Sequence, residues 1–200
     1  MKLLSSSIVG LPPFVSHGFQ PAQHRMSIQG FRHSGNSFLL TQVASYSPDQ
    51  IHSHSHRVWA VAQAVNNNIV PVVLIRKPGE VLSSTLRRMY SGEYQNLPYT
   101  LYHGTLLVTW YLYYRSLWRY RDRICLVPFS DLITSDRYHL IRERIRSSTG
   151  AVLCEIPRFV NMNRGPATRK AFTYGPVTMR LVARCDRLYD KLIAQAQRVD

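Results

Sequence analysis

The residues best suited to chemistry lie in a glycine-containing loop near residue 30. A short apolar run, Met26–Gly30, is followed by Phe-Arg-His-Ser-Gly and then by an apolar-periodic segment from Asn36 to about Ala44. This order predicts a strand, a loop and a helix, an arrangement in which backbone N–H groups face an anion. The loop also carries the basic pair Arg32 and His33. We therefore predict that it binds a phosphate-like group.

The spacing of this loop nearly matches the pattern that cradles nucleoside triphosphates. That pattern has two glycines five positions apart, followed by Lys and then Ser or Thr. Gly30, Gly35 and Ser37 fit it, but Asn36 occupies the position of the lysine that contacts the β- and γ-phosphates. The loop thus favours a phosphate-like ligand over hydrolysis of a triphosphate. A plain tight connection between a strand and a helix is the alternative.

A second candidate anion site follows the most hydrophobic run of the chain. Residues 69–75 are almost continuously apolar and β-branched, which is typical of a strand buried on both faces of a parallel sheet. Arg76 comes directly after this run, at the edge where ligands of open α/β sheets bind. Ser84 follows on the next predicted helix and is a candidate for the same anion. The alternative is a plain ion pair between Arg76 and Glu80.

Strands that alternate with helices surround these candidates. The sequence predicts strands at 26–30, 69–75 and 124–129, and helices at 58–66, 80–89, 100–120, 137–148 and 177–199. Ser130 and Asp131 are interpreted as a helix cap, and 155–177 as a long loop. This alternation predicts a single-domain α/β fold in three layers, with a central, mostly parallel sheet of about five strands flanked by helices. We expect residues 1–25 to be a loose leader and residues 26–200 to form the domain.

Composition restricts the class of partner. The chain has 200 residues, of which 45% are hydrophobic and 18% charged, values of a globular protein rather than a disordered one. Its formal net charge of +14 predicts an anionic partner, with a generally basic protein as the alternative. No run of five or more basic residues occurs, so an arm for specific nucleic-acid binding is not predicted.

Cysteine usage and hydropathy indicate the compartment. Cys125, Cys154 and Cys185 are about thirty residues apart, with neither CxxC spacing nor even pairing, which argues against a disulfide framework or a structural zinc site. No run approaches the roughly 18 apolar residues that would predict a transmembrane segment. We therefore expect a cytoplasmic protein, although the first residues faintly resemble a cleavable signal peptide.

Three segments together resemble the sulfotransferases, which use 3′-phosphoadenylyl sulfate (PAPS) as the sulfuryl donor. They are Gly-Phe-Arg-His-Ser-Gly-Asn-Ser-Phe-Leu from residue 30, Val-Leu-Ile-Arg-Lys-Pro-Gly-Glu-Val-Leu-Ser-Ser from residue 73, and Val-Pro-Phe-Ser-Asp-Leu from residue 127. The resemblance covers about residues 26–150. It implies a P-loop-like fold and an enzyme that transfers a sulfuryl group from PAPS to a hydroxyl or amine of a small-molecule or glycan acceptor, without a metal.

The resemblance assigns two anion sites. The family's Arg-x-Pro-x-x-Val-x-x-Ser segment, which holds the 3′-phosphate, matches Arg76 and Ser84. The family's Lys- or Arg-Ser-Gly-Thr/Asn-Thr loop, which holds the 5′-phosphosulfate, falls on His33, Ser34, Gly35, Asn36 and Ser37, with Arg32 directly before it. Arg169 and Lys170 lie in the region where the family often closes over the 3′-phosphate, and a solvated basic loop is the alternative there.

His33 is the chief departure from the family, because it stands where Lys or Arg is usual. Its neighbour Arg32 occupies the usual position of a proline. Three explanations are open at this point. Arg32 reaches the phosphosulfate, or His33 does so when it is protonated, or the activity is weakened or lost.

The resemblance also assigns a base. Many members of the family place a histidine at the end of the second strand, and His54 fits that position as the group that takes the acceptor's proton. His52 and His56 alternate with His54 and would share its face in an extended strand, so they are alternative bases. A His-x-His-x-His metal site and a polar strand end without a role are further alternatives.

Two other functions compete with sulfuryl transfer. One is a small P-loop nucleotide kinase, against which Asn36 counts. The other is a non-catalytic basic protein that binds nucleic acid or an acidic glycan. The aromatic stretch at 106–120 is expected to be mainly core, with some tyrosines facing an acceptor cleft.

Overall fold

The computed structural model describes residues 19–88, 99–155 and 176–198. The strands and helices follow one another in the order β1 (Met26–Gly30), α1 (Asn36–Gln42), β2 (Ile51–Ser53), α2 (Val58–Asn66), β3 (Val72–Ile75), α3 (Pro78–Arg88), α4 (Tyr99–Leu117), β4 (Cys125–Pro128), α5 (Phe129–Ile133), α6 (Ser135–Thr149) and α7 (Pro176–Gln197). Arg169, Lys170 and most of the predicted loop at 155–177 lie outside the described residues.

The central sheet is parallel, as the alternation of strands and helices predicted. Its strand order in the described part of the chain is β2-β1-β3-β4. Ile28 of β1 lies opposite Ser53 of β2 and Val72 of β3, and Val72 lies opposite Cys125 of β4. The α/β class is therefore confirmed, with four strands rather than about five among the described residues.

Helices cover both faces of the sheet, and each face has its own hydrophobic core. Val73 and Ile75 of β3 pack with residues of α2, α3, α4 and α7, whereas Val72 and Leu74 pack with residues of α1, α5 and α6. The division arises because successive side chains of a strand point to opposite faces. All residues of β1, β3 and β4 are buried, as expected for parallel strands between two helical layers.

The strand order reverses direction at the β1–β3 pair. From β1 the chain passes to α1 and then to β2 on one side, and from β3 it passes through α3 and α4 to β4 on the other. The loops that follow β1 and β3 therefore diverge toward opposite faces and leave a crevice at the carboxyl edge of the sheet. Ligands of open α/β sheets bind at such a crevice. The fold thus places the glycine-containing loop beside Arg76.

Two local predictions are wrong. The helix after β4 begins at Phe129 with Pro128 at the N-cap, so Ser130 and Asp131 lie in its first turn and do not cap it. Asp131 instead pairs with Arg137 at 3.4 Å. In addition, β2 ends at Ser53, and the next histidines leave the extended conformation. His52, His54 and His56 therefore do not share one face of a strand.

The packed part of the chain begins before β1. Phe19 and His24 are buried against His52, with ring centroids 5.4 Å apart for Phe19–His24 and 5.2 Å apart for His24–His52. The Arg25 backbone N–H donates to the Gln50 carbonyl at 2.8 Å. Residues 19–25 thus pack against the β2 edge of the sheet. Among the described residues, no helix combines the length and the apolar character needed to cross a membrane.

Candidate anion site and adjoining cleft

A buried tyrosine of α4 holds the loop that follows β1. The Tyr114 hydroxyl accepts a hydrogen bond from the Phe31 backbone N–H at 3.3 Å and lies 3.3 Å from Ser34 Oγ. It donates to the Leu74 carbonyl of β3 at 2.7 Å. Burial raises the pKa of Tyr114 to about 12, so the phenol stays protonated and keeps this donor. The hydroxyl therefore ties the loop to β3, a role that the sequence did not reveal.

Gly35 is needed in this loop for two reasons. Its φ of 98° lies in the left-handed region, which glycine adopts without steric cost. In addition, a Cβ atom built on Gly35 would lie 2.3 Å from Cε2 of Phe129, the first residue of α5. The Gly35 backbone therefore lies so close to the Phe129 ring that no side chain fits between them.

Arg76 reaches the same loop from the end of β3. Its Nη1 donates to the His33 carbonyl at 2.8 Å, and its guanidinium carbon lies 4.5 Å from the centre of the Phe129 ring. Its Nε is 3.2 Å from Glu80 Oε2, so the ion pair considered as an alternative is present. The Glu80 side chain is 52% exposed, and exposed pairs of this kind contribute about 0–1 kcal/mol. Arg76 is therefore positioned by the loop and only weakly held by Glu80.

Ser84, the second residue predicted to hold the 3′-phosphate, lies on the helix that follows Arg76. It lies on α3 one turn beyond Glu80 and is half-buried. No hydrogen bond between described residues joins Ser84 to Arg76 or to the loop. Of the two residues predicted to hold a 3′-phosphate, the structure thus places Arg76 beside the loop, whereas the role of Ser84 stays a prediction.

His54 and His56 both reach the loop, but they have different partners. His54 Nε2 lies 2.8 Å from Ser37 Oγ, and His54 Nδ1 lies 2.7 Å from Ser53 Oγ. His56 Nδ1 lies 2.8 Å from the Gly30 carbonyl. Because a carbonyl oxygen only accepts hydrogen bonds, Nδ1 of His56 carries the hydrogen, and Nε2 is the basic nitrogen of the neutral ring. Both nitrogens of His54, in contrast, contact hydroxyl groups.

His52 lies away from the loop. It is 3% exposed and packs edge-on against Phe19, with ring centroids 5.5 Å apart. Its Nδ1 is 3.2 Å from Gln29 Nε2. Across the described ranges, no three side chains of the metal-ligating types come together. The alternating histidines therefore do not form the His-x-His-x-His site that their spacing allowed.

Backbone strain is concentrated at this edge of the sheet. Four non-glycine residues in the described ranges have positive φ, and three of them are His33, His54 and His56, at 61°, 62° and 52°. The fourth is Asn68, just beyond the end of α2. Such conformations cost on the order of 1–3 kcal/mol each and cluster at active sites and ligand clamps. The strain thus supports a functional role for the loop and the two histidines.

Burial lowers the pKa of both His54 and His56. For His56 the hydrogen bond to Gly30 opposes the shift, whereas the charges of His54 and Arg32 add to it. Both rings are therefore neutral near pH 7, which is the state that a general base requires.

We expect this shift to make stability depend on pH. As the pH falls below about 6.5, the unfolded chain binds a proton at residue 56 while the folded chain does not, so the free energy of unfolding decreases until the lowered pKa is reached. Urea unfolding at a series of pH values should show this slope in the wild type and a shallower one in His56→Gln. An unchanged slope in the variant would show that burial of His56 does not cause the effect.

A cleft of about 440 Å³ adjoins the loop. The loop side contributes Arg32 and His56, and α4 contributes Thr105, Thr109 and Leu112. These α4 residues recur at the spacing of one helical face. The volume lies within the range of about 300–1,000 Å³ that is usual for small-molecule sites.

Most aromatic residues of α4 face the hydrophobic core and not the cleft. Trp110, Tyr113 and Tyr114 are buried in the core between α4 and the sheet, as the sequence predicted for most of them. Among these three, only Tyr113 also borders the cleft. The cleft wall on α4 is thus formed mainly by threonine and leucine, which no sequence motif indicated.

The chain matches no model of a known protein family, and neither curated proteins nor solved structures match it significantly. The fold and the site define a three-layer α/β protein whose candidate ligand site lies at the point where the strand order reverses. Function is therefore inferred from the chemistry of that site.

Proposed function

We propose that the protein is a sulfotransferase that moves a sulfuryl group from PAPS to a hydroxyl or amine acceptor. One observation carries the proposal: the loop after β1, Arg76 after β3 and two neutral histidines after β2 converge at the carboxyl edge of the sheet. A donor with two separated anionic groups needs two cationic or N–H-lined positions, and the acceptor needs a base beside one of them.

The loop is assigned to the 5′-phosphosulfate. Ser34, Gly35, Asn36 and Ser37 supply its backbone and hydroxyl groups. The cation is assigned to Arg32, because Arg32 lines the cleft and its charge contributes to the lowered pKa of His56. The backbone carbonyl of His33 accepts the hydrogen bond from Arg76, which supports a role for His33 in positioning Arg76.

Arg76 is assigned to the 3′-phosphate. The Arg76 pair with the half-exposed Glu80 carboxylate contributes only about 0–1 kcal/mol, so a phosphate that carries two charges loses little when it takes over the guanidinium. Ser84, Arg169 and Lys170 remain assigned to the same phosphate only by the resemblance to the family.

Transfer then needs one displacement at sulfur. The acceptor oxygen or nitrogen attacks sulfur, and the bond from sulfur to the bridging oxygen breaks. Negative charge develops on that oxygen, where Arg32 and the N–H groups of the loop stabilise it. The acceptor proton passes to a neutral histidine, with His54 the base implied by the family and His56 the other candidate.

The decisive test is a titration with adenosine 3′,5′-bisphosphate, the nucleotide product of the reaction. At a concentration of about 100 times its Kd, a ligand of the folded state raises the free energy of unfolding by about 2.7 kcal/mol, which corresponds to roughly 5–10 °C in Tm. We expect such a shift in a thermal unfolding assay, and a smaller one for adenosine 5′-monophosphate.

Three outcomes contradict the proposal. Absence of a shift at millimolar adenosine 3′,5′-bisphosphate would exclude the assigned donor site. A larger shift with magnesium and ATP, accompanied by ATP turnover, would favour a kinase. Binding of nucleic acid or acidic glycan with steep salt dependence and without nucleotide affinity would favour a non-catalytic basic protein.

A further inference from the structure

The cleft beside the loop combines apolar walls with positive charge. Phe31, Val58 and Leu112 supply apolar surface, and Leu112 is 52% exposed although it belongs to a helix that packs on the core. Arg32 and Arg57 supply the charge. Among the described residues that line the cleft there is no Asp or Glu. A molecule that fits these walls therefore has an apolar body and an anionic group.

Arg57 is the cation that the donor site does not use. It immediately precedes α2 and is exposed. The ion pairs between described residues are Arg76–Glu80, Arg121–Asp122 and Arg137–Asp131, so Arg57 has no carboxylate partner within the described part of the chain. An unpaired cation at an apolar cleft favours ligands that bring their own negative charge.

His56 lines this cleft, whereas His54 does not. The 2.8 Å contact of His56 Nδ1 with the Gly30 carbonyl leaves Nε2 as the basic nitrogen. In contrast, His54 is held between Ser37 and Ser53 by contacts of 2.8 and 2.7 Å. A hydroxyl group bound in the cleft therefore meets His56.

We propose that this cleft is the acceptor site and that it takes a hydroxylated small molecule with an apolar body and an anionic group, whose charge pairs with Arg57 and whose proton passes to His56. The inference rests on the sulfotransferase function proposed above. The acceptor oxygen forms a bond to sulfur, and the bridging bond of PAPS breaks. Adenosine 3′,5′-bisphosphate leaves with the electron pair of that bond, and Nε2 of His56 receives the hydroxyl proton.

The anionic part of the proposal is tested with a matched pair of ligands. In the presence of saturating adenosine 3′,5′-bisphosphate, calorimetry compares 6-hydroxy-2-naphthoate with its uncharged methyl ester. We expect the acid to bind about tenfold more tightly, and Arg57→Ala to remove that preference. The control Arg146→Ala removes the same charge from α6 on the opposite face of the sheet, so it should keep the preference. Equal affinities in the wild type, or an unchanged preference in Arg57→Ala, would overturn the proposal.

The role of His56 is tested by transfer from PAPS to the same hydroxynaphthoate, with the sulfated product measured by mass spectrometry. We expect His56→Gln to lower kcat about 100-fold or more, the usual contribution of a general base, while affinity for the naphthoate stays within about twofold. His54→Gln should lower kcat less. A larger loss in His54→Gln would overturn the assignment.

These measurements separate the acceptor proposal from the function on which it rests. If adenosine 3′,5′-bisphosphate does not stabilise the wild-type protein, the sulfotransferase function fails and the cleft is not its acceptor site. If the nucleotide binds but the naphthoate and its methyl ester bind with equal affinity, only the proposed class of acceptor is wrong.

Discussion

Replacement of Arg76 with alanine is expected to weaken binding of adenosine 3′,5′-bisphosphate about 100-fold. Hydrogen bonds to charged groups contribute about 1.5–3 kcal/mol, and each 1.4 kcal/mol corresponds to a factor of ten in Kd. Arg76 is only 20% exposed and is already aimed at the loop by its bond to the His33 carbonyl, so little ordering is required when phosphate binds. Isothermal titration calorimetry measures the change.

Two control variants separate a specific contact from general electrostatics and from the ion pair. Arg146→Ala removes one positive charge from the opposite face of the sheet and should leave Kd nearly unchanged. Glu80→Gln releases Arg76 from its carboxylate and should keep or slightly improve the affinity. A loss below about threefold in Arg76→Ala would contradict the assignment of Arg76 to the phosphate. An equal loss in Arg146→Ala would show that general electrostatics, and not a specific contact, causes the effect.

Gly35→Ala is expected to have the largest effect on stability, about 2–4 kcal/mol in the free energy of unfolding. The left-handed φ of 98° strains any residue with a Cβ atom, and that atom would also lie 2.3 Å from the Phe129 ring. Overpacking of this kind typically adds about 1–3 kcal/mol. Displacement of the loop should also remove nucleotide binding. Urea unfolding and the thermal titration measure the two effects.

Gly150 provides the matched control. It also has a left-handed φ, of 73°, but nothing lies within 4 Å of the Cβ position. Gly150→Ala should therefore cost only the backbone strain, on the order of 1 kcal/mol, and leave nucleotide binding intact. If Gly35→Ala costs no more than Gly150→Ala, the close approach to Phe129 does not constrain the loop.

The class of fold was predictable because its signals are local. The β-branched run that ends at Ile75 and the glycine-containing loop after Met26–Gly30 each lie within one short segment, and the structure places a parallel strand at both positions. The helix Val58–Asn66 was predicted with these bounds. The cap at Ser130 and Asp131 failed because Phe129, an aromatic residue with no capping group, begins the helix directly after Pro128.

The histidines show where a periodic pattern misleads. Alternation at His52, His54 and His56 indicates one shared face only if the strand continues, but β2 ends at Ser53 and two left-handed residues follow. His52 consequently packs with Phe19, and His56 turns to the Gly30 carbonyl. The partners of these histidines come from other parts of the chain. The sequence of residues 52–56 therefore does not predict their conformations.

The amino-acid sequence alone determined that a glycine-containing loop follows one buried strand and that a cation, Arg76, follows another. Only the tertiary structure decided that they meet, because their proximity depends on strand order and on the bond between Tyr114 and Leu74, residues 40 positions apart. It likewise decided that Arg57 and His56 border a cleft with α4. Contacts between distant segments arise from the packing of the whole core, which no local spacing records.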